Sequence, residues 1–145
     1  MRIVVDTNVL ISALLSANKS PGKIVALWQA GELELVISPD MVAEVRRVLG
    51  YDKIRKRVTT EQAQRFLRLL ETEATLIIPH ETVAVVQSDP DDDKFVALAV
   101  ASGAEYIVSG DKHLLSIDVY QGVKILNPAS FLNIFLSPTQ RSKKN

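Results

Sequence analysis

Four acidic residues, Asp6, Glu44, Asp93 and Asp111, stand where a chain of alternating strands and helices would bring them to one rim. Asp6 closes the β-branched run Arg-Ile-Val-Val and precedes Thr7-Asn8. Asp111 follows a second short apolar run, Tyr106 to Val108, across Ser109-Gly110. Glu44 falls in the second turn of one expected helix and Asp93 in the first turn of another. Two carboxylates about 5 Å apart repel by roughly 3 kcal/mol at an effective dielectric near 20. A cluster of them needs raised pKa values or bound cations. A donor set made only of oxygen suits hard ions, Mg²⁺ or Mn²⁺. Such ions activate water and stabilise in-line displacement at a phosphodiester. Each acid alone also has a plainer reading: Asp6 as a strand terminator, Glu44 as a solvated helix residue, Asp91 to Asp93 as helix-dipole partners, Asp111 as a turn residue. Their joint placement carries the argument. Lys94 and Lys112 are the basic residues in the adjacent motifs able to act as fixed counter-ions.

The elements that would position these acids alternate in type along the chain. Residues 2–6 form a buried strand, and a helix follows over 8–16. Ser20-Pro21 resembles a cap followed by a first-turn proline and opens a helix to Ala30, ended by Gly31. Residues 33–37 make the second strand, and Ser38-Pro39 starts a helix to Leu49. Beyond a basic loop, Thr59 caps a helix with Ala63, Phe66, Leu67, Leu70 and Ala74 at helical spacing. Residues 76–78 and 83–86 are short strand candidates. Asp89-Pro90 opens the helix that carries Asp93 and continues as an apolar stretch to Gly103. Residues 106–108 and 123–126 are strands, and Asn127-Pro128 caps a last helix to Leu136. The expectation is an α/β chain: one domain over residues 1–136, a central, mostly parallel sheet between helices, and a flexible basic tail over 137–145. In such folds ligands gather beyond the carboxyl ends of the strands.

Composition bounds the function classes. The 145 residues are 47% hydrophobic and 23% charged, with no cysteine, which removes disulfides, zinc–thiolate sites and thiol nucleophiles. No apolar stretch approaches the length of a membrane span, and the N-terminus does not read as a signal peptide, so a cytoplasmic place away from membranes is expected. Net charge is zero but unevenly laid out. Arg46, Arg47, Lys53, Arg55, Lys56, Arg57, Arg65 and Arg68 face only Asp52 and Glu61 in their segment, whereas residues 88–93 hold four aspartates. Two readings fit: a phosphate-attracting surface beside a cation-binding pocket, or charge that solvates two helices. Trp28 and most other aromatics read as core, and His80 and His113 are isolated, His113 as a surface residue.

Four segments, Ile3 to Leu10 (IVVDTNVL), Ser38 to Val45 (SPDMVAEV), Ser88 to Ala99 (SDPDDDKFVALA) and Ala104 to Asp111 (AEYIVSGD), resemble the PIN-domain nucleases. The likeness is to the bacterial and archaeal branch of toxin–antitoxin pairs, and it spans nearly the whole chain. It implies an α/β/α sandwich and a divalent-metal ribonuclease that cuts single-stranded RNA. It assigns the acidic quartet to Asp6, Glu44, Asp93 and Asp111, with Asp92 able to share or take the third place. It makes Asn8 and Ser109 supports of the acids, and points to a small antitoxin partner and a homodimer. The stretch containing Arg46, Arg47, Lys53, Arg55, Lys56 and Arg57 would then track RNA phosphates. Two rival readings remain at this point. One is a metal-binding or interaction module without turnover. The other is an aspartyl-phosphate phosphotransferase with Asp6 as nucleophile, against which stands Asn8 where such enzymes usually carry a second aspartate.

Overall fold

The computed structural model of the protein describes residues 1–79 and 93–137. The first strand, β1 (Arg2–Val5), feeds two helices, α1 (Thr7–Leu15) and α2 (Ser20–Gln29). Then come β2 (Glu34–Ile37), α3 (Pro39–Leu49), the short α4 (Asp52–Arg55), α5 (Thr60–Glu73) and β3 (Thr75–Leu76). After the gap in description follow α6 (Asp93–Ser102), β4 (Tyr106–Val108), α7 (Lys112–Ile117), β5 (Val119–Tyr120), β6 (Val123–Leu126) and α8 (Pro128–Phe135). The strand candidate at 83–86, the helix opening at Asp89-Pro90, Asp91, Asp92, His80 and the tail beyond Ser137 lie outside the described residues.

The strands form one sheet in the order β3-β2-β1-β4-β6-β5, parallel except for the β5–β6 pair. Ile3, Val4 and Val5 are buried, as are Ile107 and Val108, which is what a central strand covered on both faces requires. Register aligns Val5 with Val108, so the next residues, Asp6 and Ser109, leave the sheet side by side. The chain runs outward from β1 to β2 and β3, then returns to place β4 on the other side of β1. The junction of β1 and β4 is therefore where strand order reverses, and a crevice opens at the carboxyl ends of such a pair. At the amino ends, Arg2 grips Glu34 through two hydrogen bonds of 2.8 and 3.1 Å, and Thr75 adds a third at 2.8 Å.

Local chemistry explains most helix starts. Ser38 accepts from the Met41 amide, Asn127 from Ser130, and Thr59 forms a reciprocal capping box with Gln62. The start of α2 differs from expectation: Lys19 is its cap residue and Ser20 lies inside the helix, with no side-chain cap. There Gly22 lies so close to the Ala17 backbone that an added Cβ would stand 2.1 Å from its carbonyl oxygen. The helix entry is thus fixed by packing. At the other end of α6, Gly103 takes φ +70°, which favours glycine and stops the helix. The loop expected after Leu49 contains α4, and the segment after Asp111 contains α7 and the edge strand β5.

Alternating wholly buried Leu98 on α6 and the exposed Thr59 cap give two scales of loss. Leu98→Ala should lower unfolding free energy by about 2–5 kcal/mol and Thr59→Ala by about 1 kcal/mol, read from urea melts with an unchanged slope.

Candidate active site

Asp6 is the cap residue of α1 and retains only 4% of its surface exposed. Its Oδ1 accepts from the Val9 amide at 2.9 Å, and its Oδ2 accepts from the Ser109 hydroxyl. Burial pushes the Asp6 carboxyl above the usual carboxylate range. The Ser109 hydroxyl and the Val9 and Asn8 amides oppose that rise, while the nearby charge of Asp111 adds to it. The same Ser109 oxygen accepts from the Asp111 amide at 3.0 Å. Asp111 caps α7, its Oδ1 accepting from His113 at 2.7 Å and Leu114 at 3.1 Å. One buried serine thus joins the acids at the ends of β1 and β4.

Glu44 reaches the same rim from α3. Its Oε1 accepts from the hydroxyl of Thr7, the buried residue after Asp6, and its Oε2 binds Lys94 Nζ, with Arg47 3.7 Å away. Burial works to raise the Glu44 pKa, but Lys94 and Thr7 together outweigh it and hold the carboxyl below its ordinary value. Lys94 follows Asp93 directly, so the first turn of α6 is tied to α3 and α1 through this ion pair. Of the two lysines placed as counter-ions, Lys94 takes that role; Lys112 is exposed and makes no ion pair among the described residues.

The structure therefore couples Asp6 to Asp111 and links Glu44 and the start of α6 to the same strand end. Among the described residues, no group of three His, Cys, Asp or Glu side chains is assembled to hold a metal ion. The donor chemistry still fits a small hard cation. Asp6 and Asp111 offer only oxygen, Oδ2 of Asp111 has no protein donor among the described residues, and Mg²⁺ commonly takes one or two carboxylates while keeping several waters. Glu44 is different, because both its oxygens are already engaged by Thr7 and Lys94. Asn8 is exposed and helps Asp6 through its backbone amide. Thr7 is the residue that sequence reasoning passed over; its only local signal is its place directly after Asp6. Trp28 is core, as expected, but Tyr51 is 47% exposed. The basic segment also divides. Arg46 pairs with Glu71 at 2.6 Å and Arg47 lies near Glu44, whereas Lys53, Arg55, Lys56 and Arg57 make no ion pair among the described residues.

Comparison with known proteins bears on the family and the fold. The sequence profile of the PIN domain matches residues 2–113. The chain is 36% identical over 130 residues to the uncharacterized protein MJ1680 of Methanocaldococcus jannaschii, a match covering 88% of this chain and 82% of that one. Its fold is similar to a chain in the crystal structure of VapBC2 from Rickettsia felis bound to a DNA fragment from their promoter. That likeness has a TM-score of 0.59 at 17% identity and covers 88% of this chain and 98% of the other.

The two acids should respond oppositely to pH in the absence of divalent ions. Asp6, raised in the fold, contributes stability that is full below its unfolded pKa and lost as pH rises through its folded value. Glu44, depressed, contributes stability above its unfolded pKa that is lost as pH falls through its folded value. Urea melts from acid to neutral pH should show Asp6→Asn more stable than the parent at neutral pH. Lys94→Met should lose about 1–3 kcal/mol there, because Glu44 is left without its cation, and should show a weaker acid-side loss.

Proposed function

This chain belongs to the PIN-domain family, and from that premise we propose that it is a divalent-metal-dependent endoribonuclease that hydrolyses single-stranded RNA. The observation that carries the reading is the Asp6–Ser109–Asp111 link at the β1–β4 junction, where strand order reverses. PIN domains are in general nucleases, and a buried acid beside a second acid at a sheet's ligand-binding edge is suited to holding Mg²⁺ or Mn²⁺. Such an ion, when bound, supplies water activation and neutralises charge developing on the phosphate. Asp6 and Asp111 would hold it, and Asp93, in the first turn of α6, would complete the acidic set, a role that Asp92 could share or take. Ser109 fixes Asp6 and the Asp111 backbone in one orientation. Thr7 and Lys94 orient Glu44, whose part is to support the site through that pair or to join the ion's shell when Lys94 releases it.

The same reading makes the protein the toxin of a toxin–antitoxin pair. Its support is the four-segment resemblance together with the fold shared with a chain of the VapBC2 assembly. An antitoxin protein and a second copy of the chain are the proposed partners.

The reading is tested by incubating the purified protein with single-stranded RNA and Mg²⁺ or Mn²⁺. Internal cleavage is expected, abolished by excess EDTA and reduced at least about a hundredfold in Asp6→Asn and Asp111→Asn. Undiminished cutting in Asp6→Asn would overturn it. Metal-dependent shifts in melting temperature without cleavage of any RNA would leave a binding module in its place.

A further inference from the structure

A groove of about 710 Å³ opens between α1 and the α3–α4 turn. Asn8, Ile11, Ser12 and Leu15 line one wall, at the spacing of a single helix face. Val48, Tyr51 and Ile54 line the other, together with the exposed Lys53 and Arg57. Both walls start at the acidic rim. Asn8 lies two residues beyond Asp6, and Val48 one turn beyond Glu44. At a rise of about 1.5 Å per residue, the α1 wall runs roughly 10 Å away from the acids.

Three properties of this groove belong together. Its floor is apolar, its wall carries an aromatic ring half open to solvent, and its cations are not consumed by acids among the described residues. The other part of the basic segment is different, since Arg46 and Arg47 sit beside Glu71 and Glu44. An apolar trough with uncommitted positive charge on one wall is complementary to a nucleotide, which has a flat apolar base and an anionic phosphate. Proteins that grip single strands combine these two elements: an aromatic face for the base and Lys or Arg for the backbone.

We propose that this groove is a substrate subsite, holding one nucleotide of single-stranded RNA next to the scissile phosphate. Its base lies on Tyr51 over Ile11 and Val48, and its flanking phosphates meet Lys53 and Arg57. The inference rests on the ribonuclease reading and adds to it the path by which the strand leaves the acids. Because stacking accepts any base, this subsite contributes affinity and direction with little sequence preference.

Binding and cleavage together test it. A fluorescein-labelled single-stranded oligoribonucleotide of mixed sequence is titrated in EDTA with parent and variant proteins, each checked for an unchanged melting temperature. Tyr51→Ala should weaken binding about tenfold, and Tyr51→Phe, which keeps the ring, should recover it. The double variant Lys53→Gln with Arg57→Gln should lower the slope of log affinity against log salt by roughly 1.4, at about 0.7 per phosphate contact in single strands. Lys23→Gln, on the exposed face of α2, should change neither quantity. If the parent cuts RNA with Mn²⁺ and Asp6→Asn does not, yet the groove variants bind like the parent, the subsite is overturned while the ribonuclease reading stands. The groove would then be a place for an apolar protein segment. If the parent neither binds nor cuts RNA, both fall together.

Discussion

A carboxylate almost without access to water, at the end of a central strand, is the constraint on which the rest of this architecture turns. Asp6 cannot be hydrated as a surface aspartate is, so the fold must supply what water would. It does so from two directions. The first turn of α1 presents the amides of Asn8 and Val9, where the helix dipole also favours negative charge. The neighbouring strand presents Ser109, level with Asp6 because Val5 and Val108 are in register. These contacts do not cancel the cost of burial, since the Asp6 carboxyl stays above its ordinary range. A buried acid left in that condition is electrostatically suited to a nearby positive charge.

The topology determines which residues can meet at this point. Strand order reverses between β1 and β4, so the segments leaving those strands diverge and leave a crevice between them. Asp6 and Asp111 are separated by most of the chain but stand only one and three residues past adjacent strand ends. The Arg2, Glu34 and Thr75 cluster holds the amino ends of β1, β2 and β3, at the opposite edge of the sheet from the acids. Strands held at both ends, by this cluster and by the backbone bonds of Asp6 to Val108 and of Ser109 to Leu126, are a suitable platform for side chains that must keep their places.

How much of this could be read from residue types depends on the range of the interaction. Ser38-Pro39, Thr59 with Gln62, and Asn127-Pro128 announce helices because cap and helix are neighbours in sequence. Val-Val-Asp at the start and Ile-Val-Ser-Gly-Asp later announce strand ends for a similar reason. The start of α2 eluded the same logic because packing of Gly22 against Ala17, and no cap, sets it. Short elements were also hidden: α4 has Ile54 as its one buried residue, α7 has Leu114, and neither spans enough turns to show a period. Least legible was the joint engagement of Glu44. Lys94 could be named as a counter-ion from its place beside Asp93, but that it and Thr7 would meet the same glutamate depends on three helices converging. Exposure of Tyr51 likewise depends on the turn between α3 and α4, which the basic composition of that stretch concealed.

The Lys94–Glu44 pair shows how the fold itself neutralises one of its acids. A half-buried glutamate without a cation would bear the cost of its own burial, and Lys94 with Thr7 outweighs that cost. Lys94 is tethered through α6 to Asp93, so the cation that quiets one acid travels with another. Net zero charge over the chain therefore conceals a local arrangement in which positive charge is paired around Glu44 and makes no ion pair among the described residues on α4 and just beyond it. The first ties α3, α1 and α6 together at the strand ends.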